Sequence, residues 1–272
     1  MMRRVAIGIV TVAAVIGLSR MAAAAGLSYA DNQVFPHGYV DYDRAGPLTL
    51  ADYPFALVGR KIVFQTSYRS LYGIKYLTYN RAASALTRRG AVVGIGAATF
   101  GESGYFHQVG LSSFAGYGVG KVRLGGSLSY SRLSFSDDYG YVSAFTTNLG
   151  ASYTHRQYLV YSVLRSINQP RYYDGDGPLP PEAEIGLSFR SPEGLASQAR
   201  ALFIRYQKPT AQLAQSLRLA EYAQLNWALV LSPVRFGVGL ALEKGHFGFE
   251  YRFSHHPVLG PTHTINLAAY AD

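Results

Sequence analysis

Cysteine is absent from the 272-residue chain, and this removes two classes of chemistry at once. No disulfide framework can brace the fold, and no thiol can act as nucleophile, redox centre or soft metal ligand. Charge is scarce too, with Asp, Glu, Lys and Arg making up 15% of the residues. The 25 basic residues outnumber the 16 acidic ones but are dispersed along the sequence, without the basic run that nucleic-acid binding calls for. No nucleic-acid partner is expected. Beyond the N-terminal segment no apolar stretch reaches the roughly 20 residues of a membrane-spanning helix. Any crossing of a bilayer must then use a closed sheet, in which the backbone groups pair between strands.

Met1-Met2-Arg3-Arg4 precedes an apolar run from Val5 to Leu18 and then the small-residue stretch Ala22-Ala23-Ala24-Ala25-Gly26. This order reads as a secretory signal peptide over residues 1–25, cleaved after Ala24 or Ala25. Residues 26–60 are rich in Asp, Pro and Tyr and lack sustained periodicity, so they are expected to form an irregular or plug-like segment.

The abundant residues are 22 tyrosines and 29 glycines. Tyrosine suits a lipid-water boundary, with its ring in the apolar layer and its hydroxyl among headgroups, and glycine suits bent strands and tight turns. From residue 61 onward, apolar and polar side chains alternate. Val234, Phe236, Val238, Leu240 and Leu242 oppose Arg235, Gly237, Gly239, Ala241 and Glu243, and Phe247, Phe249, Tyr251 and Phe253 oppose Gly248, Glu250, Arg252 and Ser254. Strand side chains point alternately to opposite faces, so each segment has one apolar face. The pattern predicts about fourteen strands, near 61–69, 73–83, 90–101, 105–117, 120–134, 143–155, 157–168, 181–190, 197–208, 210–221, 222–232, 233–243, 246–255 and 262–271. A secreted sandwich would also alternate, but connections as short as Ser232-Pro233 and Lys244-Gly245 leave no room for crossovers between sheets. The expected fold is all-β, a closed antiparallel transmembrane β-barrel over residues 61–272 in the outer membrane of a Gram-negative-type bacterium.

With the apolar parity facing lipid, Arg123, Glu182, Glu184, Arg190, Arg205, Arg218, Arg235, Glu243, Glu250 and Arg252 are expected to line the lumen, together with Lys61 and Arg69. Glu243 and Glu250 flank one short turn, with Arg235 and Arg252 on the same two strands, so cross-strand charge pairs are expected. Mixed signs on one face favour a lumen narrowed by ion pairs. No cofactor is expected. His255 and His263 could face each other across the turn of the last hairpin but lack a carboxylate cluster, and Asp174-Gly175-Asp176-Gly177 lacks the later Glu of an EF-hand, so no metal site is assigned. No catalytic residue is assigned either. His107 and Ser113 share a parity but lie six residues apart, and no Gly-x-Ser-x-Gly elbow exists, so an enzyme is not expected and a lipid hydrolase is the remote alternative.

The run His256-Pro257-Val258-Leu259-Gly260-Pro261-Thr262-His263-Thr264-Ile265-Asn266-Leu267 resembles the C-terminal hairpin of PorV and PorQ-type barrels of the FadL-like superfamily. Ile167-Asn168-Gln169-Pro170, the prolines before Ile185-Gly186-Leu187-Ser188-Phe189-Arg190, and Ala220-Glu221-Tyr222 are similar to further elements of that family, in the same order. The resemblance implies an outer-membrane barrel of about fourteen strands and, for PorV and PorQ, a secretion-associated or structural role with type IX secretion proteins as partners. A channel for small or hydrophobic solutes is the alternative. Residues 27–60 are short beside the N-terminal hatch of FadL-like barrels, and the Gly-Gly-Ala and Asn-Pro-Ala motifs of that family have no counterpart. Membrane lipid and the barrel-assembly machinery are the other expected partners, the latter through Ile265, Leu267 and Tyr270.

Overall fold

Fourteen antiparallel strands, each paired with its neighbours in sequence, close into a barrel when the last pairs with the first. The computed structural model describes residues 46–56, 59–75, 77–102, 106–135, 140–171, 179–205, 207–231, 234–256 and 260–271. The signal-peptide reading, the rest of the N-terminal segment up to residue 45 and the Asp174–Gly177 loop lie outside the described residues. A short helix, α1 (Pro47–Asp52), precedes β1 (Ile62–Ser70), β2 (Thr78–Arg88), β3 (Ala91–Glu102), β4 (Phe106–Val119), β5 (Val122–Phe135), β6 (Tyr141–His155) and β7 (Tyr158–Arg165). The barrel continues with β8 (Glu182–Arg190), β9 (Leu195–Ile204), β10 (Thr210–Ala220), β11 (Ala223–Leu231), β12 (Val234–Lys244), β13 (Phe247–His256) and β14 (Gly260–Ala271). Strand β2 begins five residues later than its pattern predicts. The chain turns at Leu71 to Lys75 instead, with Ile74 N–H donating to Leu71 O and Leu77 N–H to Ile74 O.

The alternation sorts the two faces. On β12, Val234, Phe236 and Val238 are 63, 49 and 42% exposed, whereas Arg235 is 5% exposed. The same inversion recurs on β5 and β8, where Leu124 and Ile185 face out while Ser127, Ser129, Glu182 and Glu184 are buried. An apolar outside around a polar inside is stable only where lipid covers the wall.

The two ends of the barrel differ. At one end the connections are Arg89-Gly90, Gly120-Lys121, Arg156-Gln157, Ser191 to Gly194, Glu221-Tyr222 and Gly245-His246. Arg89 and Gly90 both take positive φ, 51° and 79°, as a two-residue hairpin turn requires. Each turn here is stitched to the next strand by a backbone hydrogen bond, as in Gly118 N–H to Gly90 O (3.0 Å) and Thr154 N–H to Lys121 O (2.8 Å). The connections at the opposite end range from two residues, 232–233, to the sixteen of 166–181. Short turns on the periplasmic side and long loops outside are the rule for such barrels.

Wall height is uneven as well. Strand β6 has 15 residues and its neighbour β7 only 8, so β6 extends past the ladder. Residues 166–168 cover part of the exposed edge. Ile167 N–H donates to Thr147 O (3.1 Å), and Asn168 stands in for a strand, its Oδ1 accepting from Thr147 N–H (2.9 Å) and its Nδ2 donating to Phe145 O (2.7 Å). This is a physical reason for the Asn in Ile167-Asn168-Gln169-Pro170.

Candidate functional site

The lumen is occupied by residues 46–56 of the chain itself. Proline at the first position of α1 suits a helix start, where no N–H is needed, and the six-residue helix then delivers Asp52, Tyr53, Pro54 and Phe55 to the interior. Leu50, Tyr53, Phe55 and Ala56 are at most 1% exposed and pack with Val63, Ala85, Val92, Phe114, Leu159, Tyr161 and Val163 of the wall. Phe55 stacks on Tyr161 at 5.2 Å, and Tyr53 meets the same ring edge-on at 6.0 Å.

Three glycines make room for this plug. Gly116 of β4, Gly125 of β5 and Gly150 of β6 are direct cross-strand neighbours on the inner face. A Cβ at Gly116 or Gly125 would fall 2.5 or 1.8 Å from Pro54 O, and one at Gly150 would fall 2.8 Å from the Phe55 ring. The row is therefore a seat cut for Pro54-Phe55, made by removing side chains where the two backbones approach.

Polar contacts fasten the plug on both flanks. Arg81 of β2 donates both guanidinium nitrogens to the Asp52 carboxylate, at 3.0 and 3.2 Å, and one of them also to Leu48 O at 3.3 Å. Gln65 Oε1 accepts from Leu48 N–H at 3.3 Å, and Ser127 Oγ donates to Ala51 O at 3.1 Å. A cavity of about 30 Å³, room for one or two waters, lies beside the Asp52–Arg81 pair and is bordered by Gly96, Ser112 and Ser129. On the other flank, Tyr53 Oη donates to Glu184 Oε2 at 3.4 Å and accepts from Arg200 Nη1 at 2.7 Å. Burial pushes the Tyr53 phenol up to about 12, so it keeps its proton and its donor role.

Glu184 is the hub of that flank. Arg165 Nη2 donates to it at 3.0 Å and Tyr161 Oη at 2.8 Å, while Arg200 Nη1 lies 3.9 Å away. Glu182 adds a second carboxylate 3.8 Å from Arg165 Nη1, though neither of its oxygens has a hydrogen bond. Two arginines and two glutamates thus balance in a site that water hardly reaches, where loss of one partner strands another.

The residues expected to line the lumen occupy three settings. Glu182, Glu184 and Arg235 are buried inside, and Glu250 and Arg252 are half-buried on the inner face. Arg123, Arg190, Arg218 and Glu243 hold inner-face positions near the tight-turn end, Arg218 and Glu243 being exposed at the rim, where Glu243 lies 3.6 Å from Arg60. Arg205 is exposed and lies just beyond β9, which stops at Ile204, four residues short of its predicted end. Arg69 is buried inside and donates to Thr264 Oγ1 (3.1 Å), while Lys61 is exposed ahead of β1.

The charge pairing on β12 and β13 also differs from expectation. Arg252 stands opposite Gly239 and Glu250 opposite Ala241, so β12 offers no charged partner there. Arg252 instead donates to Glu250 along its own strand (2.6 Å), and Asn226 and Asn266 complete the carboxylate's shell. Among the C-terminal residues, Tyr270 lies under Arg60 (5.6 Å) and packs toward the plug, apart from the outward Ile265 and Leu267. His263 accepts or donates one bond with Tyr251 Oη (2.8 Å), and His255 packs on Phe236.

Asp52, Tyr53, Arg81, Tyr161, Arg165 and Arg200 were not singled out by alternation. A signal existed in β7, where Leu159, Tyr161 and Val163 on the inner face match Tyr158, Val160 and Leu164 on the outer. A strand apolar on both faces needs an apolar partner inside as well as lipid outside, and Phe55 is that partner.

At the level of sequence no family model matches this chain, and no curated relative does. Solved structures do match in fold. The Ralstonia pickettii toluene transporter TbuX aligns over 83% of this chain and 94% of its own length, with a TM-score of 0.60 and 10% identity. The Acinetobacter baumannii outer membrane protein Omp33 aligns over 78% and 98%, with a TM-score of 0.53 and 10% identity. A Pseudomonas aeruginosa FadL homologue aligns over 82% and 94%, with a TM-score of 0.55 and 9% identity. The chain is a closed fourteen-stranded outer-membrane barrel of the Gram-negative type.

Proposed function

We propose that the protein is a FadL-like outer-membrane channel for small, weakly polar solutes, closed at rest by residues 46–56. The plug carries this reading, because it sits in the lumen on releasable contacts, among them the Asp52–Arg81 ion pair, hydrogen bonds to Ala51 O and Tyr53 Oη and an aromatic stack. A solely structural barrel has no need of a seat carved in glycine for a separate segment. Displacing the plug would uncover Tyr161 and Val163 next to Ser127, Asn148 and Gln198, a mixture of aromatic and hydroxyl or amide groups that suits a small amphipathic or aromatic solute. TbuX is a toluene transporter, which fits the same class of cargo.

The secretion-linked role implied by the PorV and PorQ resemblance rests on short motifs and has no comparable support inside the barrel. The reading is also non-enzymatic. His107 and Ser113 lie on the outer face of β4, six residues apart, about 20 Å at the usual strand rise.

The test is uptake into proteoliposomes of a small aromatic solute and of a sugar, for the native protein and an Asp52→Asn/Tyr53→Phe variant. Faster aromatic uptake in the variant supports the proposal. Equal, negligible uptake by both proteins, with the plug shown to be released by its new protease sensitivity, would sink it.

A further inference from the structure

We propose that the tight-turn end binds the headgroups of anionic phospholipids along one arc of the barrel. The cations involved are far apart in sequence. Arg88 and Arg89 lie at the β2–β3 turn, Lys121 at the β4–β5 turn and Arg156 at the β6–β7 turn, and all four are exposed. Hairpin topology brings these three turns to consecutive places on the same rim, each ~10 Å from the next at two strand spacings. Lys61, at the start of β1, extends the arc. Because the spacing is close to the Debye length of ~8–10 Å, neighbouring charges reinforce one another at an attracted anion. Among the described residues no carboxylate pairs with Arg88, Arg89, Lys121 or Arg156; Lys121 Nζ lies 3.5 Å from His155 Nδ1.

The rest of the perimeter is different. At the three remaining tight connections a carboxylate accompanies the cations: Glu193 follows Arg190, Glu221 follows Arg218, and Glu243 adjoins Lys244 and lies 3.6 Å from Arg60. The positive charge is therefore a sector and not a ring.

Lipid is favoured over an acidic protein by what adjoins the arc. Arg88 shares the outward parity of Leu86, which is 50% exposed, and Lys121 sits between Val119 and Val122, exposed on the lipid face. Tyr153 and Tyr158 flank the Arg156 turn on that same face. The cations therefore stand where the apolar wall ends, at headgroup depth, with stems that can lie along the apolar surface while the charge reaches a phosphate. Two-residue turns also give a protein partner little to grip.

The test compares retention of phosphatidylglycerol and phosphatidylcholine, supplied equally to the micelle-solubilised protein and read by native mass spectrometry. The native chain is expected to retain the anionic lipid about tenfold over the zwitterionic one, a preference that falls in high salt. Arg88→Gln/Arg89→Gln/Lys121→Gln/Arg156→Gln should abolish the preference, and Lys75→Gln/Arg205→Gln/Lys208→Gln at the opposite end should leave it. If the fourfold variant fails to fold, as judged by gel mobility before and after boiling, Arg88→Gln/Arg89→Gln and Lys121→Gln/Arg156→Gln are each expected to lose part of the preference. Equal retention of both lipids by the native protein overturns the proposal and leaves the arc to an acidic protein partner. So does a preference that survives removal of the four charges.

Discussion

The two sides of the lumen wall use the same residue types to opposite ends. On β1 to β9 polar side chains reach across to the plug: Gln65 to Leu48 N–H, Arg81 to Asp52, Ser127 to Ala51 O, Arg200 and Glu184 to Tyr53. On β11 to β14 they bond along the wall, as in Arg252–Glu250–Asn266, and Thr264 of β14 takes Arg69 of β1 in the same way. A polar group inside a barrel therefore says little by itself. Its partner decides whether it holds the wall together or holds something that can leave.

The largest effect should come from the seat. Gly125→Val places a branched side chain where Pro54 O now lies, and a residue packed that closely cannot be accommodated without expelling the plug. Uptake should rise at least about tenfold and residues 46–56 become protease-sensitive, while the strands stay folded on a semi-native gel. Next is Asp52→Ala, which breaks the two-pronged ion pair with Arg81 and should weaken plug docking by about 3–5 kcal/mol, read as a lower denaturant midpoint for plug release. Glu250→Gln tests the other side. It should lower barrel stability by about 1–3 kcal/mol with no change in solute uptake, and a rise in uptake would erase the distinction between the two halves. The smallest effect is expected from Asn168→Ala, about 1 kcal/mol, seen as faster amide exchange at Thr147 and not in transport.

Strand identity was legible because lipid and lumen impose opposite demands on successive residues, so β5, β8 and β12 declare both faces in a few positions. The β2 start was not, since Tyr72 and Leu77 continue an apolar texture through a stretch that turns, with Tyr72 and Gly73 both at positive φ. Charges well inside strands, such as Glu184 and Arg235, could be placed by parity; Arg205 could not, because parity ends where the strand does. The plug seat was hidden for a different reason. Gly116, Gly125 and Gly150 are ordinary turn-prone residues in one dimension and become a continuous groove only through register. The basic arc was concealed likewise, its members dispersed in sequence and gathered by hairpin closure.

The central claim is that residues 46–56 close a path which opens when they move. The absence of native cysteine allows a direct measurement: Ala51→Cys with Ser127→Cys, joined by oxidation or by a short bifunctional thiol reagent, at a point where plug and wall already meet at 3.1 Å. Solute uptake is predicted to stop on cross-linking and to return on reduction of the disulfide. Uptake that continues unchanged with the plug covalently fixed would contradict the account.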